Sequence, residues 1–184
     1  MQYAITDPDV ATLVAIAGML KGNDIREGAG DPWAGSPFAW IRTCPSRQVG
    51  KTGEQLVAGW CAARGLDVTS SRDSQADRVI AGRRVDIKFS TLWKSGVYKF
   101  QHIRDQDDEF ALCLGISLFD AHGWVIPRDV LRQRVIGHTP QHARQRGADT
   151  FWLSVEAASP PEWLAEDGGC LARAFEIMQK WQAK

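Results

Sequence analysis

The sequence predicts an α/β fold, a central mixed β-sheet flanked by helices. Three observations predict it. Apolar residues at helical spacing mark helices early in the chain, before its middle and at its end. The stretch "ADRVIAGRRVDIKFS", residues 76–90, carries the alternation and central turn of a hairpin. The run "FALCLGISLF", residues 110–119, is continuously apolar, as strands buried on both faces are. The succession of helix, strands, a mixed segment, more strands and a last helix then predicts a single sheet covered by helices.

Asp7 and Pro8 form a helix start, an N-cap acid followed by proline at the first helical position. Val10, Leu13, Val14, Ala17 and Leu20 continue at helical spacing as far as Gly22. Residues 22–37 are rich in Gly, Asp and Pro and read as a loop, long for a compact domain, that is either mobile or embraces a ligand. A second helix is expected from Ser46 or Val49 to Arg64, stopped by Gly65, with Leu56, Val57, Trp60 and Ala63 on its core face. "DVTSS" reads as a short strand, followed by the hairpin. "YKFQHIRDQDDEF" mixes strand and helix character. "GWVIPRDVL" gives a strand ending at Pro127, and "TFWLSV" gives a late one. Leu171, Phe175, Met178 and Trp181 form a terminal helical stripe suited to packing.

The 184 residues fit one domain, with a core over about 46–130 and with 1–45 and 148–184 as additions. No stretch approaches the about 18 consecutive apolar residues of a membrane span. The early apolar run follows Asp7 and Asp9 rather than basic residues and lacks a cleavage site, so the protein reads as cytoplasmic. Cys44, Cys61, Cys113 and Cys170 are not spaced for metal binding and read as buried free thiols. Net charge is zero, but its distribution is uneven. Arg128 to Arg146 holds five arginines against Asp129 alone, and Asp149 to Asp167 holds five acids and no Lys or Arg. Such a contrast suits a phosphate-facing edge as well as ordinary surface.

The hairpin carries the chemistry. With Ala81 and Gly82 at its centre, 80 faces 83, 79 faces 84 and 77 faces 86. Asp77 and Asp86 are then opposed, with Cβ atoms about 5 Å apart. Like charges so placed destabilise a sheet, so either one acid is protonated or a cation lies between them, and Mg²⁺ is the common oxygen-seeking choice. Strand alternation puts Asp86 and Lys88 on one face and Val85, Ile87 and Phe89 on the other. A lysine there can orient or activate water, or stabilise charge on a pentacovalent phosphate.

An Asp on one strand followed across a hairpin by "VDIKFS" resembles the PD-(D/E)XK nuclease superfamily, familiar from type II restriction endonucleases. The resemblance covers about residues 49–115. Ala76 stands where the motif's name has Pro, and Asp86 is an allowed acid. The resemblance implies a restriction endonuclease-like core and a Mg²⁺-dependent endonuclease, with Mn²⁺ as a substitute. It implies hydrolysis of DNA phosphodiester bonds, with double-stranded, restriction-type cutting expected. It places Glu54, on the helix before the hairpin, with Asp77, Asp86 and Ile87 in the metal site. Lys88 acts on water, and Gln101 is a further candidate after the lysine strand. A homodimer would let two sites cut both strands.

Other basic and aromatic residues read as DNA contacts: Lys51, Trp93, Lys94, Lys99 and Arg104, with His138, His142, Arg144 and Arg146 in the arginine-rich stretch. His102, adjacent to Gln101, would point away from it on a regular strand. His138 and His142 also have zinc-ligand spacing, but Pro140 lies between them and no third ligand is evident. "GKT" at 50–52 lacks the glycine of a phosphate-binding loop, since Pro45 holds that position. Gly50 and Gly53 instead suit a close approach of the helix to the sheet or to DNA. The competing readings are a non-catalytic DNA-binding or protein-interaction module on the same fold, and a nicking or repair nuclease.

Overall fold

The computed structural model describes residues 4–22, 31–72, 75–141 and 149–182. Asp7 caps helix α1, Pro8–Leu20, by accepting from the amides of Asp9 and Val10. Helix α2, Ser46–Ala63, follows a short 3-10 segment at Ala39–Thr43. Gly65, at φ +82, turns the chain after α2 at a cost no side-chain-bearing residue would match. Leu56, Val57 and Trp60 are buried as expected, but Ala63 is exposed and Cys61 takes the inward position. Asp9 is buried and ties the two helices together, accepting from Trp60 Nε1 and Arg64 Nη1, each at 2.9 Å.

The main sheet has six strands: β1 Val68–Ser70, β2 Arg78–Ile80, β3 Arg83–Thr91, β5 Phe110–Ile116, β6 Ala121–Pro127 and β8 Gly168–Cys170, in the order β1-β2-β3-β5-β6-β8. The β3–β5 pair is parallel and every other pair is antiparallel, so the sheet is mixed. The apolar strand β5 lies centrally, which is why both its faces are buried. One face carries α1, α2 and helix α4, Leu171–Gln182, whose Leu171, Phe175 and Met178 are buried. Trp181 is partly buried and stacks on Phe110 at 4.4 Å between centroids.

The expectation of a single sheet is corrected here. Strand β4, Val97–Ile103, leaves the main sheet and pairs with β7, Phe151–Glu156, in a separate two-stranded sheet. That pair and helix α3, Arg128–Arg134, cover the other face of β5 and β6 around Tyr98, Phe100, Trp124 and Leu131. The physical reason is that β5 and β6 have apolar residues on both faces, so a second covering layer is needed. All four cysteines are free, and Cys61 and Cys113 are buried. Cys44 is half-buried, and Cys170 is exposed because Leu171, not Cys170, turns into the core. No helix among the described residues is long and apolar enough to cross a membrane.

Candidate active site

The hairpin pairs in the expected register, Ile80 with Arg83, Val79 with Arg84 and Arg78 with Val85. Asp77 lies one residue before β2 and is held by two backbone contacts that bracket Asp86. Its amide donates to Val85 O at 3.1 Å, and its Oδ2 accepts from the Ile87 amide at 2.7 Å. Asp77 therefore stands across from Asp86. Val85 and Ile87 face the helical layer, and Phe89 packs beside them. Asp86 and Lys88 take the opposite face, paired with Ala111 and Cys113 of β5. This is a buried face: Asp86 is only 4% exposed. Lys88 Nζ lies 2.9 Å from both Asp86 oxygens and hydrogen-bonds Oδ1, while the buried Oδ2 accepts no hydrogen bond.

Gly53 sets the distance between α2 and β3. A Cβ there would lie 2.3 Å from Phe89 Cβ, so only glycine lets the helix settle this close. Nothing lies within 4 Å of a Cβ built at Gly50, so only one of the two expected close approaches is made to the sheet. Glu54 follows Gly53 and lines a cavity of 520 Å³ with Asp77, Ile87, Lys88, Lys99 and Gln101. A smaller cavity of 250 Å³ is lined by Asp77, Asp86, Lys88, Arg104 and Gln106. Glu54 is 3.7 Å from Arg78 Nη2, and Arg78 Nη1 donates to Asp77 O at 2.8 Å. Nothing in the sequence singles out Arg78, because only the fold brings α2 beside it.

The fit of these residues to a divalent ion is mixed in a definite way. Asp77 and Asp86 converge on the smaller cavity, where the buried Asp86 Oδ2 is ion-paired with Lys88 at 2.9 Å but accepts no hydrogen bond. Glu54 opens on the larger cavity instead, and among the described residues no three His, Cys, Asp or Glu side chains are grouped to hold a metal. Two carboxylates suffice for Mg²⁺, which keeps several of its own waters.

Burial, with Asp86 and Glu54 as like-charged neighbours, pushes the Asp77 carboxyl up from 3.8 to about 6, against the opposing pull of the Ile87 amide and Lys88. In the free protein the neutral acid is thus favoured by folding. Its contribution to stability is fully present below pH 3.8 and is lost as pH rises through about 6. Asp77→Asn, neutral at every pH, is expected to match the wild type at pH 3.5 and to exceed it at pH 7 in chelator. The gain should be about 1–2 kcal/mol, discounted for solvent screening of a half-buried group. Urea unfolding at the two pH values measures this, and a variant no more stable than wild type at pH 7 contradicts it.

The remaining candidates divide by position. Trp93 is 45% exposed and carries the Lys99 ammonium 4.0 Å from its ring centroid, and both line the larger cavity. Lys94 lines an adjoining hollow with Trp33, Arg42 and Trp93. Arg104 is exposed at the smaller cavity. Lys51 and His138 are exposed and line neither cavity. His142, Arg144 and Arg146 lie outside the described residues, and with them the H-x-x-x-H zinc reading. Gln101 reaches the larger cavity, and so does His102, contrary to the expectation that it turns away.

No protein-family model matches the chain, and comparison with curated proteins finds no match. A solved structure of a bacterial homing endonuclease is similar at a TM-score of 0.48 and 18% identity, covering 76% of this chain and 96% of that one.

Proposed function

We propose that this protein is a metal-dependent deoxyribonuclease that hydrolyses phosphodiester bonds. The observation that carries the reading is the opposition of Asp77 and Asp86 across the hairpin, with Lys88 on the face of Asp86 and lining both cavities. Asp77 and Asp86 would hold Mg²⁺, with Glu54 and the backbone of Ile87 at its margin. When bound, the ion polarises the phosphate and lowers the pKa of a bound water. Lys88 positions the attacking water and offsets charge on the phosphate as the new P–O bond forms and the old one breaks. Lys99, Lys94 and Arg104 around the cavities suit a polyanion, and the exposed Trp93 ring suits stacking or groove contact. Duplex DNA cut in restriction fashion by a homodimer is the specific form we propose.

The ion pair of Glu54 with Arg78 favours one second reading, a module that binds DNA on this fold without cutting it. Incubating supercoiled plasmid with the full chain separates the two. Nicked or linear product is expected with Mg²⁺ and none with chelator. Intact plasmid under both conditions, on modified as well as unmodified DNA, leaves the binding module.

A further inference from the structure

Strand β4 contains an irregularity placed at the site. Val97 to Phe100 pair with Glu156 to Leu153, and pairing resumes one residue out of step at Ile103 opposite Phe151. Gln101 and His102 occupy the interval, and His102 sits at φ +58. A left-handed backbone is uncommon for a residue with a side chain, although histidine adopts it more readily than most. Bulges of this kind re-aim side chains and gather beside active sites. Regular alternation would send Gln101 and His102 to opposite faces. Here both line the larger cavity, and His102 lines the smaller one as well. Gln141 holds the distortion from a segment distant in sequence: its Oε1 accepts the His102 amide at 3.0 Å, and its Nε2 reaches Gln101 Oε1 at 3.4 Å.

Three residues line both cavities: Asp77, Lys88 and His102. Two of them already have roles in the proposed reaction, and the third, exposed, is brought to them by a left-handed backbone. We propose that His102 is a further catalytic residue, an imidazole N–H donor to a non-bridging oxygen of the scissile phosphate at the junction of the cavities. Gln141 is its positioning residue. This rests on the nuclease reading above.

The test compares His102→Gly and His102→Asn in the full chain. Glycine adopts φ +58 without strain, so it deletes the donor while relaxing the backbone. His102→Gly is expected to cut plasmid about 30–100-fold more slowly in Mg²⁺, to melt no lower than wild type and to keep the calorimetric heat of Mn²⁺ binding. Asparagine tolerates the same backbone and carries an N–H donor, so His102→Asn is expected to recover to within about tenfold of wild type. A glycine variant that cuts within threefold of wild type overturns the proposal. So does one that melts lower or loses the Mn²⁺ heat, and so does an asparagine variant no faster than the glycine one. A wild-type chain that cuts nothing overturns the nuclease reading itself, which distinguishes that failure from the others.

Discussion

Asp86→Asn is expected to lower Mg²⁺-dependent cleavage by about 10³-fold or more and to remove the calorimetric heat of Mn²⁺ binding, while the chain still folds. The charge on Asp86 is what an ion would bind, and loss of an ion's stabilisation of phosphoryl charge is worth several kcal/mol. The shape is kept, and the amide oxygen can still accept from Lys88 in place of Oδ1, now 2.9 Å from Nζ. Two electrostatic changes oppose each other in the fold. Asp77 loses a like-charged neighbour, and Lys88, with a side chain 15% exposed, loses its counter-charge. The first change offsets the second only in part, so the variant should be less stable than wild type, by less than the about 3–5 kcal/mol of a buried pair broken without compensation. Lys88→Ala is the less informative variant. It strands a carboxylate of 5% side-chain exposure without its ammonium, and breaking a buried pair from one side costs about 3–5 kcal/mol. Plasmid cleavage, Mn²⁺ titration and circular dichroism on Asp86→Asn decide the matter together. Undiminished cleavage removes Asp86 from the mechanism and with it the reading of the hairpin.

That hairpin was legible because its information is local. A two-residue turn at Ala81-Gly82 fixes the register, and the register fixes which side chains face each other. Ala81 at φ 48 and Gly82 at φ 79 show the turn geometry that makes this hold. The Asp7 cap of α1 and the glycine stop after α2 were legible for the same reason. What the sequence did not disclose depends on contacts between distant segments. Nothing local distinguishes β4 and β7 from strands of the main sheet, because their apolar residues fit either layer. The strand β8 is written Gly-Gly-Cys and has no apolar alternation. Gly168 is packed onto Gly123, where a Cβ would lie 2.1 Å from the carbonyl oxygen, so the missing side chain at Gly168 is a condition for pairing there. The bulge at His102 depends on Gln141, which is distant in sequence. Asp108 and Arg128 were equally silent, each an ordinary charged residue until folding buried both.

Arg128→Met is expected to destabilise the fold by about 3–5 kcal/mol, because the pair it breaks is fully enclosed. The Arg128 side chain is 4% exposed and that of Asp108 is 0% exposed, and the two are ion-paired. Burial pushes the Asp108 carboxyl up, and the guanidinium offsets this only in part. Removing the guanidinium leaves an acid with neither water nor a cation. Replacing both partners is a different experiment. Asp108→Leu with Arg128→Met substitutes apolar volume for the pair, and such exchanges are often neutral, so the double variant should regain most of the loss. Its activity should not return in step. Arg128 Nη1 also donates to Arg104 O at 2.6 Å, which fixes the segment that presents Arg104 and Gln106 to the cavity beside Asp86. A double variant that is stable and yet cuts DNA more slowly would locate the value of the buried pair in holding that segment rather than in holding the fold. Urea midpoints for the two single variants and the double one measure the coupling. A single Arg128→Met within 1 kcal/mol of wild type would mean the pair is not buried as described, and the wall of the smaller cavity would have to be drawn again.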